Sequence, residues 1–520
     1  MSWTGWLLFI LIIQVIHFLG TWKLYVKAGR HAWEAAVPVY NAIVLMKIIH
    51  RPWWWTILLF IPIVNLIMFP VVWVETLRSF GRNSNADTFL VLITFGLYIY
   101  YINYTQDVTH IKERSLKPRT SAGEWTSSIL FAVVAATIVH TYFMQPFTIP
   151  TSSLEKTLLV GDFLFVSKFH YGARAPMTPI SFPMVHDTIP VAGVKSYVKD
   201  PQIPYFRFPG FQKIKRNDIV VFNWPVDTLI DINPSSMRGS VQKPIDKKSN
   251  YVKRCVGLPG DSLSVKNGRV FIDGQPLELN DRARIQFGYQ AATKKPLNIA
   301  FIKERYDITD IYPLNREGTA YQFHATDEAL EKFKNYPDVI QVVATNEVDK
   351  GWDQTVFPND AQYNFNNNFF GPIYIPEAGK TVAINSESIS FYKRIIETYE
   401  GSEMGIDNKI TQNGTQVLLN GQALTEYTFK MDYYWLMGDN RNNSQDARTW
   451  GYVPFNHVVG KPVFVWMSWD SNSGSVRWDR VFTTVGGSGK PVSYLMYFVI
   501  ALIGWFGFNY FRKRKKSAKK

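Results

Sequence analysis

Ser264-Val265-Lys266-Asn267-Gly268-Arg269-Val270-Phe271-Ile272-Asp273-Gly274 decides the fold class. Two short β-branched and aromatic runs flank Asn267-Gly268, and Asp273-Gly274 closes the second. A type I′ turn needs positive φ at both central residues, which Asn and Gly tolerate best, so the pattern predicts a two-residue β-hairpin. Working outward, the same device recurs at Asn413-Gly414 and Asn420-Gly421 around Val417-Leu418-Leu419. Asp218-Ile219-Val220-Val221-Phe222, ended by Trp224-Pro225, and Phe464-Val465-Trp466-Met467 read as further strands. Long helical periodicity is scarce in this part of the chain, with Asp327–Asn335 the exception. The expected fold class is therefore mainly β, with an antiparallel β domain at its centre. Residues 176–210, 226–248 and 281–370 are rich in Pro, Asn, Tyr and charge and read as insertions, 281–370 as a β-rich cap.

The chain has 520 residues and a formal net charge of +14. Its mean hydropathy near zero hides two populations, very apolar blocks at both ends and a polar middle. Five segments approach the roughly 20 apolar residues that cross a bilayer: Trp3 to Leu19, Trp53 to Val74, Phe89 to Ile102, Trp125 to Met144 and Val492 to Tyr510. Trp3 to Leu19 has no basic stretch before it and no small-x-small site after it, so it reads as an anchor and not as a removable signal. Ala35–Ile49 is apolar but short and reads as interfacial or re-entrant. Basic residues crowd the span ends: Arg512-Lys513-Arg514-Lys515-Lys516 with Lys519-Lys520, Lys112, Arg114, Lys117 and Arg119, and Lys23, Lys27, Arg30, Lys47 and Arg51. Such clusters mark cytoplasmic loops. They place the tail in the cytoplasm and the long segment from Gln145 to about Gly489 outside it. They also explain the net charge without nucleic acid. The expected organisation is a membrane domain of about four helices over 1–144 and a first catalytic part over 145–280. The cap over 281–370, the rest of cap and catalytic domain over 371–489, and an anchor with basic tail over 490–520 complete it.

Cys255 is the only cysteine, so no disulfide framework and no zinc-finger spacing is present. The chemistry candidates are Ser153, just after the apolar stretch ending in Pro146-Phe147-Thr148-Ile149-Pro150, and Lys253 in Tyr251-Val252-Lys253-Arg254. A serine hydroxyl is a poor nucleophile until a base takes its proton. Lysine can be that base only when neutral, and burial in an apolar pocket lowers its pKa. Tyr251, Val252, Cys255, Val256 and Leu258 could supply such a pocket. The pairing implies acyl transfer beside a membrane, with neither a metal nor a cofactor.

Three blocks carry a resemblance. They are Ile149-Pro150-Thr151-Ser152-Ser153-Leu154-Glu155-Lys156-Thr157-Leu158 with Val160-Gly161-Asp162, then Tyr251 to Asp261, then Gly438-Asp439-Asn440-Arg441-Asn442-Asn443-Ser444-Gln445-Asp446-Ala447-Arg448 with Trp450-Gly451. In this order, after a membrane span, they resemble bacterial type I signal peptidases, the membrane-anchored Ser/Lys proteases of peptidase family S26. The resemblance covers about Gln145–Asp261 and Pro372–Trp469. It implies a serine endopeptidase that removes signal peptides from exported preproteins. Position by position it implies Ser153 as nucleophile, Lys253 as general base and Ser444 as the residue orienting the lysine amine. It implies an oxyanion hole from the Ser153 N–H and the Thr151 hydroxyl, and a structural ion pair of Asp446 and Arg448. Substrate-pocket walls would come from Phe147, Ile149, Pro150, Leu154, Leu158, Tyr251 and Val252. The expected partners are preprotein signal peptides, the lipid bilayer and, further, the secretion machinery. The expected location is the inner (plasma) membrane, with the catalytic domain on the periplasmic side. The sequence departs from the family's usual Ser-Met-x-Pro-Thr at Leu154 and at Lys156, which stands in the proline's place.

Other readings have less to stand on. The Asp- and Asn-rich 438–446 segment lacks EF-hand spacing and reads as a polar structural loop. His140 and His170 have no acidic partner nearby in sequence for a Ser-His-Asp triad. A soluble self-cleaving Ser/Lys protease is at odds with the apolar spans. A membrane-anchored substrate-binding pseudoenzyme or scaffold is the alternative of another class, opposed by the presence of all three expected site residues.

Overall fold

The Asn267-Gly268 turn forms as its residues dictate. In the computed structural model, which describes residues 2–118, 120–227, 242–471 and 473–517, Asn267 has φ +52° and Gly268 φ +73°. Ser262–Lys266 pairs with Arg269–Ile272, with Lys266 opposite Arg269. Asn420 and Gly421 repeat the device at φ +51° and +83° between Leu419 and Gln422. Asn413 faces Gln416 across the Gly414 turn. Asp327–Lys334 is a helix, capped by the Thr326 hydroxyl accepting from the Ala329 N–H. Arg119 and Lys519-Lys520, counted above among the orienting charges, and 228–241 of the second expected insertion lie outside the described residues.

The chain divides into two units, Met144–Ala173 with Pro209–Lys520, and Met1–Phe143 with Arg174–Phe208. The first is mainly β. Its largest sheet orders Met144–Thr148, Asp162–Ser167, Val458–Asp470, Ile219–Asn223, Asn250–Gly257, Tyr433–Met437 and Val453–Pro454 side by side. Every pairing along this path is antiparallel. Ile219–Asn223 is buried throughout. Its alternate residues serve two cores: Ile219 and Val221 join Ile149, Leu154 and Leu158, while Val220 and Phe222 join Cys255, Leu436 and Trp450. A strand covered on both faces reads as an unbroken apolar run, as Ile219-Val220-Val221-Phe222 does.

Within 281–370 a separate four-stranded sheet forms, in the order Val339–Ala344, Phe287–Thr293, Ala320–Ala325, Ile311–Pro313. Helices Ile299–Tyr306 and Asp327–Lys334 contribute to its own core, where Ile302, Phe323 and Phe333 are fully buried. The opening hairpin belongs to a third sheet, in the order Phe370–Tyr374, Ser262–Lys266, Arg269–Ile272, Gln275–Pro276.

The other unit is helical. Trp3–Lys27 and Ser121–Phe143, and in the β unit Leu495–Arg512, are long and apolar enough to cross a membrane. Asn85–Ile93 and Tyr98–Thr105 would make a fourth only as one span bent by 120°. The bend occurs where Phe95 and Gly96 take positive φ. Trp53 to Val74, expected as one span, is divided into Trp55–Leu58 and Val64–Ser79. The break follows Pro62, which removes a backbone donor, and Ile63 sits at φ +70°. Tyr40–Ile48, within the segment read as interfacial, packs Val44, Leu45, Met46 and Ile48 into the helical core. Most of 176–210, expected as an insertion of the β domain, groups with the helices, as part of Arg174–Phe208.

Candidate active site

Strand Met144–Thr148 delivers the chain to a single tight turn, Ser152–Leu154, which buries Ser153 and Leu154. The β unit's Asn250–Gly257 strand delivers Lys253. Its Nζ lies 2.6 Å from Ser153 Oγ. Ser153 is 7% exposed and Lys253 3%. Burial pushes the Lys253 amine down from 10.5 to about 8. The nearby Asp446 and Asp439 carboxylates pull the other way and limit the drop. The amine also sits 5.7 Å from the centre of the Tyr251 ring. A buried amine titrating near neutrality and touching a hydroxyl has the geometry and the proton affinity for general-base chemistry.

Asp446 and Arg448 meet: the guanidinium donates from Nε (2.9 Å) and Nη2 (2.8 Å) to the two carboxylate oxygens, both side chains buried. Asp446 also accepts from the Gly438 N–H at 3.0 Å. Ile149, Leu154 and Leu158 share one core cluster, with Phe147 and Val252 packed against it. Tyr251 belongs to a different cluster, stacked on Trp224 at 5.2 Å. Pro150 and Thr151 are exposed. The Ser444 hydroxyl is not on the lysine. It donates to the Gln445 carbonyl at 3.4 Å, and it lies so close to Gly438 that a Cβ there would be 2.2 Å from Oγ.

A second buried pair had no role in the sequence reading. Arg254 donates to Asp439 through Nε at 2.7 Å and Nη2 at 2.6 Å, and the Thr157 hydroxyl donates to the same carboxylate at 2.5 Å. This ties the segment after Ser153 to both other blocks. The available signal was a charged residue inside an otherwise apolar strand, next to Lys253. Arg441, buried beside both pairs, donates to the Gly438 and Gly268 carbonyls. Burial lowers it to about 10.

The family described as "Signal peptidase, peptidase S26" matches residues 122–334 and 374–469, more than half of the chain. The chain belongs to this signal peptidase family. Signal peptidase I of Haemophilus influenzae is 25% identical over 385 residues, 72% of this chain and 79% of the relative. Signal peptidase I of Buchnera aphidicola subsp. Acyrthosiphon pisum is 26% identical over 344 residues, 65% of this chain and 73% of the relative. Signal peptidase I of Helicobacter pylori strain 26695 is 23% identical over 385 residues, 70% of this chain and 94% of the relative. The S26 match spans the Ser153, Lys253 and Ser444 positions. A family of unknown function (DUF5684) matches residues 33–113, in the helical unit.

Proposed function

We propose that this S26 peptidase cleaves signal peptides from exported preproteins, with Ser153 as nucleophile and Lys253 as general base. The observation that carries the reading is the 2.6 Å contact between two buried groups, one of them an amine whose pKa burial lowers to about 8. Ser153 Oγ attacks the scissile carbonyl and its proton passes to Lys253 Nζ. The resulting ammonium then protonates the departing amine, and the neutral amine activates a water that releases the acyl group. The Ser153 N–H and the Thr151 hydroxyl serve as oxyanion donors. Ser444 orients the amine once its hydroxyl turns from the Gln445 carbonyl. The buried Asp446–Arg448 pair supports the loop behind them. Phe147, Ile149, Pro150, Leu154, Leu158, Tyr251 and Val252 shape the small apolar pockets that select side chains before the cut.

The apolar helices anchor the enzyme in the inner membrane, with the catalytic unit on the periplasmic side and the basic tail in the cytoplasm. There the substrate's apolar segment stays in the bilayer while its extended cleavage region pairs beside a strand. The sheet of 281–370 acts as a cap, and the enzyme works in contact with the secretion machinery. The test is preprotein cleavage by purified Ser153→Ala and Lys253→Ala proteins. Both should fold and both should be inactive; full activity in either overturns the assignment.

A further inference from the structure

The segment after Ser153 carries a conformation that needs outside support. Lys156 has φ +71°, a left-handed region that a side-chain-bearing residue keeps only when its surroundings impose it. The support comes from the turn between helix Ile299–Tyr306 and strand Ile311–Pro313. There Asp307, itself left-handed at the helix end, accepts from Lys156 Nζ at 2.6 Å. Three residues on, Asp310 Oδ2 accepts from Asn440 Nδ2 at 3.0 Å and from Asn443 Nδ2 at 3.1 Å.

Each of those amides has a second contact to the residue preceding the nucleophile. Asn443 Nδ2 donates to Ser152 Oγ at 3.1 Å, and Asn440 Nδ2 reaches the Ser152 carbonyl at 3.4 Å. A side-chain amide has two N–H donors, so one carboxylate aims both amides at Ser152. The Asn440 backbone N–H holds the Ser153 carbonyl at 3.1 Å. Gln286, which leads into the same four-stranded sheet, donates to the Glu155 carbonyl at 3.2 Å and pairs its backbone with Asn440. His324 Nδ1 stands 3.6 Å behind the Asp310 carboxylate.

We propose that Asp310, assisted by Asp307, is a positioning residue: the 281–370 insertion straps the Ser152–Thr157 segment and so sets Ser153 Oγ against Lys253. The inference rests on Ser153 being the nucleophile. Misplacing a reacting group by about 1 Å can cost around 100-fold in rate, whereas binding energy gathered elsewhere is untouched. The strap therefore acts on kcat more than on KM.

The experiment is preprotein cleavage by the full-length enzyme in detergent, with kcat, KM and thermal midpoint measured for each variant. Asp310→Ala should lower kcat by roughly 10-fold or more, with KM nearly unchanged. Asp310→Asn should recover most of it, because an amide oxygen accepts the same two N–H groups. Asp310→Ala should cost little further in an Asn443→Ala background, since the two act as one unit. Asp307→Ala should have a smaller effect, its side chain being largely exposed and its ion pair screened. An Asp310→Ala enzyme with wild-type kcat overturns the strap. So does a loss that follows the folded fraction and is not rescued by Asn. Ser153→Ala run in parallel separates the failures: if it is dead while Asp310→Ala is fully active, only the strap is lost, and if it is active the assignment of the site falls.

Discussion

Lys253 is costly to the fold in its charged form. Burial lowers its pKa from 10.5 to about 8, so between those values the unfolded chain holds the proton and the folded one does not. Stability must then rise with pH through that window. Below about pH 8 the penalty is full, and it amounts to roughly 3 kcal/mol. Lys253→Met, close in volume and without charge, should therefore be inactive yet more stable than the parent near pH 7. The gain should shrink as pH climbs toward 10.5. Denaturant melts of both proteins across that range check it, and a variant less stable than the parent at pH 7 contradicts the burial of an unmatched amine. Ser153 and Lys253 could be singled out in the sequence because each lies in a distinctive block, the first just after an apolar stretch. The rotamer of Ser444 was not, because the direction of one hydroxyl depends on how close Gly438 comes.

At the scale of elements, the loop after Tyr433–Met437 must run close against the Ser153 segment. A Cβ on Gly438 would lie 2.6 Å from the Ser153 carbonyl oxygen. That atom is backbone, so Gly438→Ala should displace the nucleophile and reduce kcat by about 100-fold. Circular dichroism should show the β fold retained; an alanine variant with normal kcat would mean the segment yields without consequence. Hairpins at Asn267-Gly268 and Asn420-Gly421 could be read in advance because turn type there is fixed by the two residues themselves. The break before Val64 was legible in part: Pro62 signals an interruption there, but the positive φ of Ile63 and the packing of Val64–Ser79 into the helical core leave no mark in local periodicity. The Arg254–Asp439 pair escaped because its partners lie 185 positions apart.

For the whole molecule, charge at the span ends and apolar helices argue for a protein whose two aqueous faces differ. Trp3–Lys27 leaves Leu7, Leu8 and Ile12 more than half exposed, surface that only lipid or another apolar partner covers at low cost. Cys255 is fully buried and its thiol is pushed up by desolvation, so the native chain offers no reactive cysteine. Ser473→Cys and Ser115→Cys, at exposed positions, then report sidedness. In right-side-out vesicles a membrane-impermeant maleimide should label Ser473→Cys and leave Ser115→Cys untouched until the membrane is opened. The reverse pattern would put the catalytic unit in the cytoplasm.

The most direct test of the Ser153–Lys253 dyad is the rate at which an activated acyl reagent modifies Ser153 as pH is varied, with the adduct located by mass spectrometry. The rate should climb through a single ionisation near pH 8 and fall to the background of an unassisted serine in Lys253→Met. A pH-independent rate, or an adduct formed equally well without the lysine, would contradict the dyad.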